Sequence, residues 1–187
     1  MTTNDAATLK VGVAHFFTAP VGTARPTTVA DLQTPPAAWK EMGNTSLSNI
    51  LALTSDGGTV TTLSSLQNTS LRQSIAARVE NLGIHLLQWD ADSLKLYYGS
   101  NAVVTADGAI EVPSEPVATE AAFLVVLHDG LNVGGFYAAK ASIFRDSDIA
   151  IADTNTLAEL PIKVTALNVN GSDSALTVIP PRAVDTP

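Results

Sequence analysis

Three histidines, His15, His85 and His128, together with many serines and aspartates, are the raw material for nucleophilic or acid–base chemistry in this chain. A hydroxyl–imidazole–carboxylate relay could be assembled from them on paper. No G-x-S-x-G turn is present to hold a nucleophile at a strand–helix corner, however, and each histidine falls within or at the end of a predicted strand. They read as structural or surface histidines. The clusters Asp146/Asp148, Asp90/Asp92 and Asn168/Asn170/Asp173 resemble fragments of calcium loops, but none has the roughly twelve-residue spacing that ends in a bidentate Glu. Turn formation and helix capping account for them. Gly134-Gly135 lacks the Lys-Ser/Thr of a phosphate cradle and has strand rather than helix on its flanks. Without cysteine there is no thiolate metal site, thiol nucleophile or disulfide. The N-x-[ST] matches at Asn44, Asn68 and Asn170 carry no weight without a secretory signal. The expectation is a protein with no catalytic, cofactor-binding or metal-ligating residues.

The elements that could position side chains centre on Ser74 to Gly99. Leu82, Ile84 and Leu86 alternate as on a half-buried strand, with Leu87 and Trp89 on the opposite face. The period then changes. Asp90 can N-cap, Ala91, Leu94, Tyr97 and Tyr98 recur at helical steps, and Gly99 can stop the helix, so a long strand is predicted to run directly into a helix over residues 91–98. Tyr97-Tyr98 reads as helix packing plus one exposed hydroxyl.

Before this block, Val11 to Phe17 reads as a first strand ended by Pro20. The prolines at 26, 35 and 36 leave a long excursion with at most a turn of helix around Ala37 to Met42. Leu47 to Thr54 reads as a strand closed by Ser55 to Gly58. Thr59 to Ser74 has enough β-branching to form a ribbon and too few apolar residues to form a core. After it, Asp107-Gly108 marks a hairpin between Ala102 to Ala106 and Ala109 to Val112. Phe123 to Leu127 is apolar on both faces, as in a central strand, and Phe136 to Phe144 follows. Pro161, early in the run Leu160 to Ala166, suggests an edge or the strand's first residues. Asn170-Gly171 turns back into Ala175 to Ile179, and Pro180-Pro181 is expected to end the fold. The sum is about eight strands and one principal helix: a mainly β, antiparallel sandwich or partly closed barrel with long loop arms. Residues 1–8 read as a flexible arm, 9–180 as one domain with a long loop at 18–46 and a projecting ribbon at 55–73, and 181–187 as a flexible tail.

Hydrophobic residues make up 45% of the 187 and charged residues 15%, so little charge is available to cover the surface. No apolar run approaches the ~20 residues that span a bilayer, and Met1 to Lys10 lacks the pattern of a signal peptide, so a chain soluble as made and without a membrane partner is expected. The net charge of −8 is uneven: seven acids face six bases up to Gly99, and eleven acids face four bases beyond it. A protein that grips nucleic acid replaces phosphate counterions with basic groups, and this balance does the reverse.

The ordered series QNTSLRQS (67–74), LQWDADSLKLYYG (87–99), EVPSEP and LAELPIKVTALN (157–168), with FFTAPVGTARPT (16–27) ahead of it, resembles the major tail (tail tube) proteins of long-tailed, non-contractile bacteriophages. The likeness runs from about residue 10 to residue 180. It implies a structural subunit of the virion tail, made in the host bacterial cytoplasm, which assembles with itself into hexameric rings stacked as a tube, meets other tail proteins at the tube ends, and lets DNA pass without specific binding. It also implies that the ribbon bridges subunits and successive rings, with Gln67, Asn68, Leu71 and Arg72 on its family-like part. If the second-half sheet lines the channel, Glu120, Asp146, Asp148 and Glu159, with Glu80 on the long strand, are the acids expected at the lumen. An extracellular glycan-binding or adhesive β-sandwich is the alternative, weakened by having only ten aromatics, mostly in predicted core. A small hydrolase is weakened by the missing nucleophile motif.

Overall fold

A computed structural model describes residues 8–151, 154–169 and 174–184. In chain order these form β1 (Val13–Ala19), α1 (Val29–Gln33), β2 (Lys40–Glu41), β3 (Ala52–Gly57), β4 (Val60–Leu63), β5 (Arg72–Ile75), β6 (Arg78–Leu86), α2 (Ala91–Tyr98), β7 (Val103–Val104), β8 (Ile110–Glu111), β9 (Thr119–His128), β10 (Asn132–Arg145), β11 (Leu160–Leu167) and β12 (Thr177–Ala183). The fold is mainly β and antiparallel, as the alternation implies, and α2 is the helix announced by Asp90 and Gly99. The Asp90 carboxylate accepts from Ser93 N at 2.8 Å, and Gly99 N donates to Lys95 O at 2.9 Å.

The main sheet runs in the order β2-β1-β9-β10-β11-β6-β3. β10 pairs with β9 along one side. Its other side is shared, Asn132 to Tyr137 pairing with β12 and Lys140 to Arg145 with β11. Backbones crowd at this fork: a Cβ on Gly135 would lie 1.8 Å from Val125 O, so the pair Gly134-Gly135 serves close approach and not ligand binding. The two ends of the sheet come back toward each other through one connector. Lys40 and Glu41 pair with β1 and Met42 N donates to Phe16 O, while a few residues on Thr45 bridges Leu86, Ser46 N donates to His85 O, and β3 zips onto β6. The result is a partly closed barrel in which no continuous ladder completes the circle.

One core cluster unites Phe16, Phe123, Val125, Leu82, Ile84, Leu160 and Ile162 with Tyr97 of α2. A second, on the other face of β1, β9 and the first half of β10, holds Phe17, Leu124, Val126, Val133 and Ile179 under Leu32 of α1 and Trp39. β9 is therefore buried on both faces, as its sequence requires. Further along, the face shared by Glu120, Ser142, Thr165, Asn81 and Thr54 turns polar where β10, β11, β6 and β3 lie side by side.

Three expectations are corrected. The helical turn lies at Val29–Gln33, capped by Thr28, whereas Lys40 and Glu41, where a turn of helix was expected, pair with β1 as strand. The second strand begins five residues late and runs through Ser55 and Asp56, because Ser46 to Leu51 is held irregular by Ser46 Oγ, which accepts from Asn49 N at 3.2 Å. Pro161 meets the second of its two alternatives: it is the second residue of β11, which lies inside the sheet. Pro180-Pro181 does not end the sheet: Ile179 faces Gly135 and Arg182 faces Val133, so the two prolines share a bulge opposite Gly134, and β12 continues to Ala183. Asn170 and Asp173 lie outside the described residues.

Candidate assembly surfaces

The histidines do come near partners, but in the wrong order for catalysis. Glu159 accepts from Ser46 Oγ at 2.5 Å and from Asn49 Nδ2 at 3.0 Å, and its other contact is His85 Nδ1 at 2.6 Å. A nucleophilic relay needs the imidazole between hydroxyl and carboxylate; here the carboxylate is in the middle. The Ser46 hydroxyl, with Asn49 and His85 behind it, holds the Glu159 carboxyl below the ordinary carboxylate range against the opposing effect of burial. The cluster is a clamp that ties the connector at Ser46 to Asn49 onto β6 and the start of β11. His15 and His128 meet edge-on with ring centroids 5.7 Å apart, and His15 Nδ1 contacts Glu41 at 2.6 Å. Burial, then His15, lowers the His128 pKa. Among the described residues no three His, Asp or Glu converge as a metal site. The cleft of about 430 Å³ between β2 and α2 is lined by Lys40 and Asp92, which pair with each other.

The unmet surface lies elsewhere. β4 and β5 form a ribbon that pairs with no other strand among the described residues, and all eight of its strand residues are exposed. It continues the β3–β6 ladder in unchanged register, from Gly57↔Arg78 to Val60↔Ile75, so one two-stranded arm leaves the body. The joint needs glycine: Gly57 has φ +91°, and a Cβ there would lie 2.7 Å from Ala77 O. At the tip Ser65 N donates to Asn68 O at 2.7 Å and Ser70 N to Asn68 Oδ1 at 3.0 Å, so Asn68 shapes the turn from within. Gln67, Leu71 and Arg72 are exposed beside it, and Leu66 is 100% exposed. Arg72 has no ion-pair partner among the described residues.

The five acids do not form one patch. Glu120 lies mid-sheet on the polar face, 2.9 Å from Lys140 Nζ. Glu80 neighbours Asn81 on β6 and so points to the opposite face, where Arg78 Nε is 2.7 Å away and Ser55 donates at 2.5 Å. Asp146, Asp148 and Glu159 gather at the end of the sheet where β10 stops and β11 starts; Asp146 N donates to Pro161 O at 3.0 Å and Asp148 shares a cleft with Glu159.

A chain with an arm that has no core, an edge strand exposed along its length and, among the described residues, no converging metal site offers surface for other chains to cover. A family model described as phage tail tube protein matches residues 1–185. The chain belongs to that family. It is also similar to the major tail protein Gp23 of Mycobacterium phage D29 and to that of Mycobacterium phage L5, in each case 33% identical over 178 residues, covering 90% of this chain and 88% of the relative. As a tail tube protein it is a structural component of the phage tail and not an enzyme.

Two features of this tail tube protein were not visible in its sequence. Glu159 is 74 residues from His85 and 113 from Ser46, so nothing local announces the clamp. The open edge of β3 was hidden because the partners of a strand depend on the whole topology. A further clue existed for α1: Thr28 and Asp31 have the spacing of a reciprocal cap, and Thr28 Oγ1 both accepts from Asp31 N at 3.1 Å and donates to Asp31 Oδ2 at 2.7 Å.

Proposed function

We propose that six copies of this chain form a ring, that rings stack into the tube of a phage tail, and that DNA passes through the channel without being held. The observation that carries this reading is the open edge of β3, whose six residues are all exposed and which has β6 on one side and, among the described residues, no strand on the other. An uncovered edge is a template for pairing, and in a self-assembling tail protein it would be met by the sheet of a neighbouring copy. The polar face carrying Glu120 would then be the channel wall. Each lysine there has a partner, Lys140 with Glu120 at 2.9 Å and Lys163 with Asp56 at 3.7 Å, so phosphate finds no unpaired cation whose counterions it could release. At physiological salt such charges act over about 8 Å. Glu80 belongs to the other face, and Asp146, Asp148 and Glu159 would mark the rim of a ring, not its wall. The end rings would meet the other proteins of the tail.

Negative-stain microscopy of the purified protein tests the reading. Rings and tubes with an open centre are expected; protein that stays monomeric at every concentration and salt would overturn it. Tubes carrying Glu120→Lys should in addition retain DNA at low salt and release it steeply as salt rises.

A further inference from the structure

The strand β6 has an uncovered plug at one end and an uncovered socket at the other. At its Arg78 end the arm ends in Leu63, Leu66 and Leu71, all exposed. At its Leu86 end, about 27 Å away at strand rise, an apolar groove of about 500 Å³ lies between Leu47, Leu87 and Leu157. Leu47 is 86% exposed and Leu157 73% exposed, and the two line one groove instead of standing singly on the surface. The neighbouring cleft, which shares Leu157 and Glu159 with the groove, is edged by Asp148. The charges are complementary: from Gly58 to Val79 the chain has two arginines and no acid, whereas the groove's surroundings supply Asp148, 4.0 Å from Arg145 and with its side chain 98% exposed, and Asp146 close by.

We propose that the leucine-bearing tip of the β4–β5 ribbon of one copy seats in the Leu47–Leu87–Leu157 groove of a second copy, with Arg72 facing Asp148 and Asp146. This rests on the tail-tube reading and adds to it the receiving site and the direction of stacking. The groove offers apolar surface whose solvent exposure the tip would remove, and Arg72, without an ion-pair partner among the described residues, gains one. Because plug and socket are different surfaces at opposite ends of one strand, the contact is head-to-tail. Such a contact does not close on itself in a pair and leaves a free plug and a free socket at the two ends of every assembly. The clamp at Glu159 acquires a purpose here: by tying Ser46 and Asn49 to β6 and β11 it holds Leu47 and Leu157 apart as two walls, so the groove exists before its occupant arrives.

The absence of cysteine makes the test clean. The chain carrying both Leu66→Cys and Leu157→Cys, oxidised after assembly, should run as a reductant-sensitive ladder of dimers, trimers and higher species, while either single variant stays monomeric on the gel. Tubes visible by microscopy with no more cross-linking than the single variants would overturn the contact and leave the tail-tube reading standing; wild-type protein that forms no rings or tubes would remove both. Cross-linking of Leu157→Cys to itself alone, giving dimers, would also overturn it. Should cysteine itself loosen the contact, a charge exchange decides: Arg72→Asp or Asp148→Arg alone should raise the concentration needed for assembly severalfold, and the two together should restore it. A double variant no better than the singles counts against the proposal.

Discussion

β9 and the β4–β5 ribbon are both antiparallel β, yet they are stabilised in opposite ways. In β9, Phe123, Leu124, Val125 and Val126 are wholly buried, with one side chain after another going alternately to the α2 core and to the α1 core. The ribbon has its ladder, its turn bonds and nothing packed on either face. Backbone pairing is common to the two, so whatever separates their stability comes from side-chain burial. A two-stranded ribbon without a packed face is marginal in water. On the proposed reading, its order in an assembled tail would come from a neighbouring copy.

Substitutions can stretch or collapse this contrast. The largest effect is expected from Phe123→Ala, which removes a buried ring stacked 6.5 Å from Phe16 and should destabilise the monomer by about 3–5 kcal/mol in denaturant titration. A loss under about 1 kcal/mol would mean that β9 is not the centre of the core. Asp90→Ala belongs between the extremes, with about 0.5–2 kcal/mol expected in a thermal or denaturant scan. The backbone N–H of Ser93 is the main reason that the Asp90 carboxyl titrates below its usual range. Its contribution is therefore complete above the ordinary carboxylate pKa and fades as pH falls through the depressed native value, so wild type and variant should converge in strong acid. At the small end, Leu66→Ser should change monomer stability by no more than about 0.5 kcal/mol while impairing assembly. A stability loss as large as that of the cap would show that the ribbon tip packs on its own body.

Where burial is local in sequence, the sequence was readable. Leu82, Ile84 and Leu86 alternate, are fully buried, and lead through Asp90 into α2 as their spacing requires. The Asp107-Gly108 hairpin likewise followed from two residues. Legibility failed where a distant partner decided the outcome. Pro180 and Pro181 are strand breakers by their chemistry, and they are accommodated because a bulge against Gly134 demands no regular ladder at that point. Lys40 and Glu41 look helical in isolation and become strand because β1 has a free edge. The candidate surfaces divide in the same way. The ribbon could be recognised by the core residues it lacks, whereas the groove at Leu157 is made by segments more than a hundred residues apart and has no local mark.

The unbroken register from β3–β6 into the ribbon also has a mechanical meaning. A neighbour holding the ribbon tip would pull along β6, in line with the strand and across its ladders with β11 and β3. Force applied in that direction shears many hydrogen bonds at once instead of peeling them apart one by one. Gly57, whose φ of +91° and close backbone approach to Ala77 carry the ladder from β3 and β6 into the arm, sits on that line of force, and tension would pass down β6 to the clamp at His85 and Glu159.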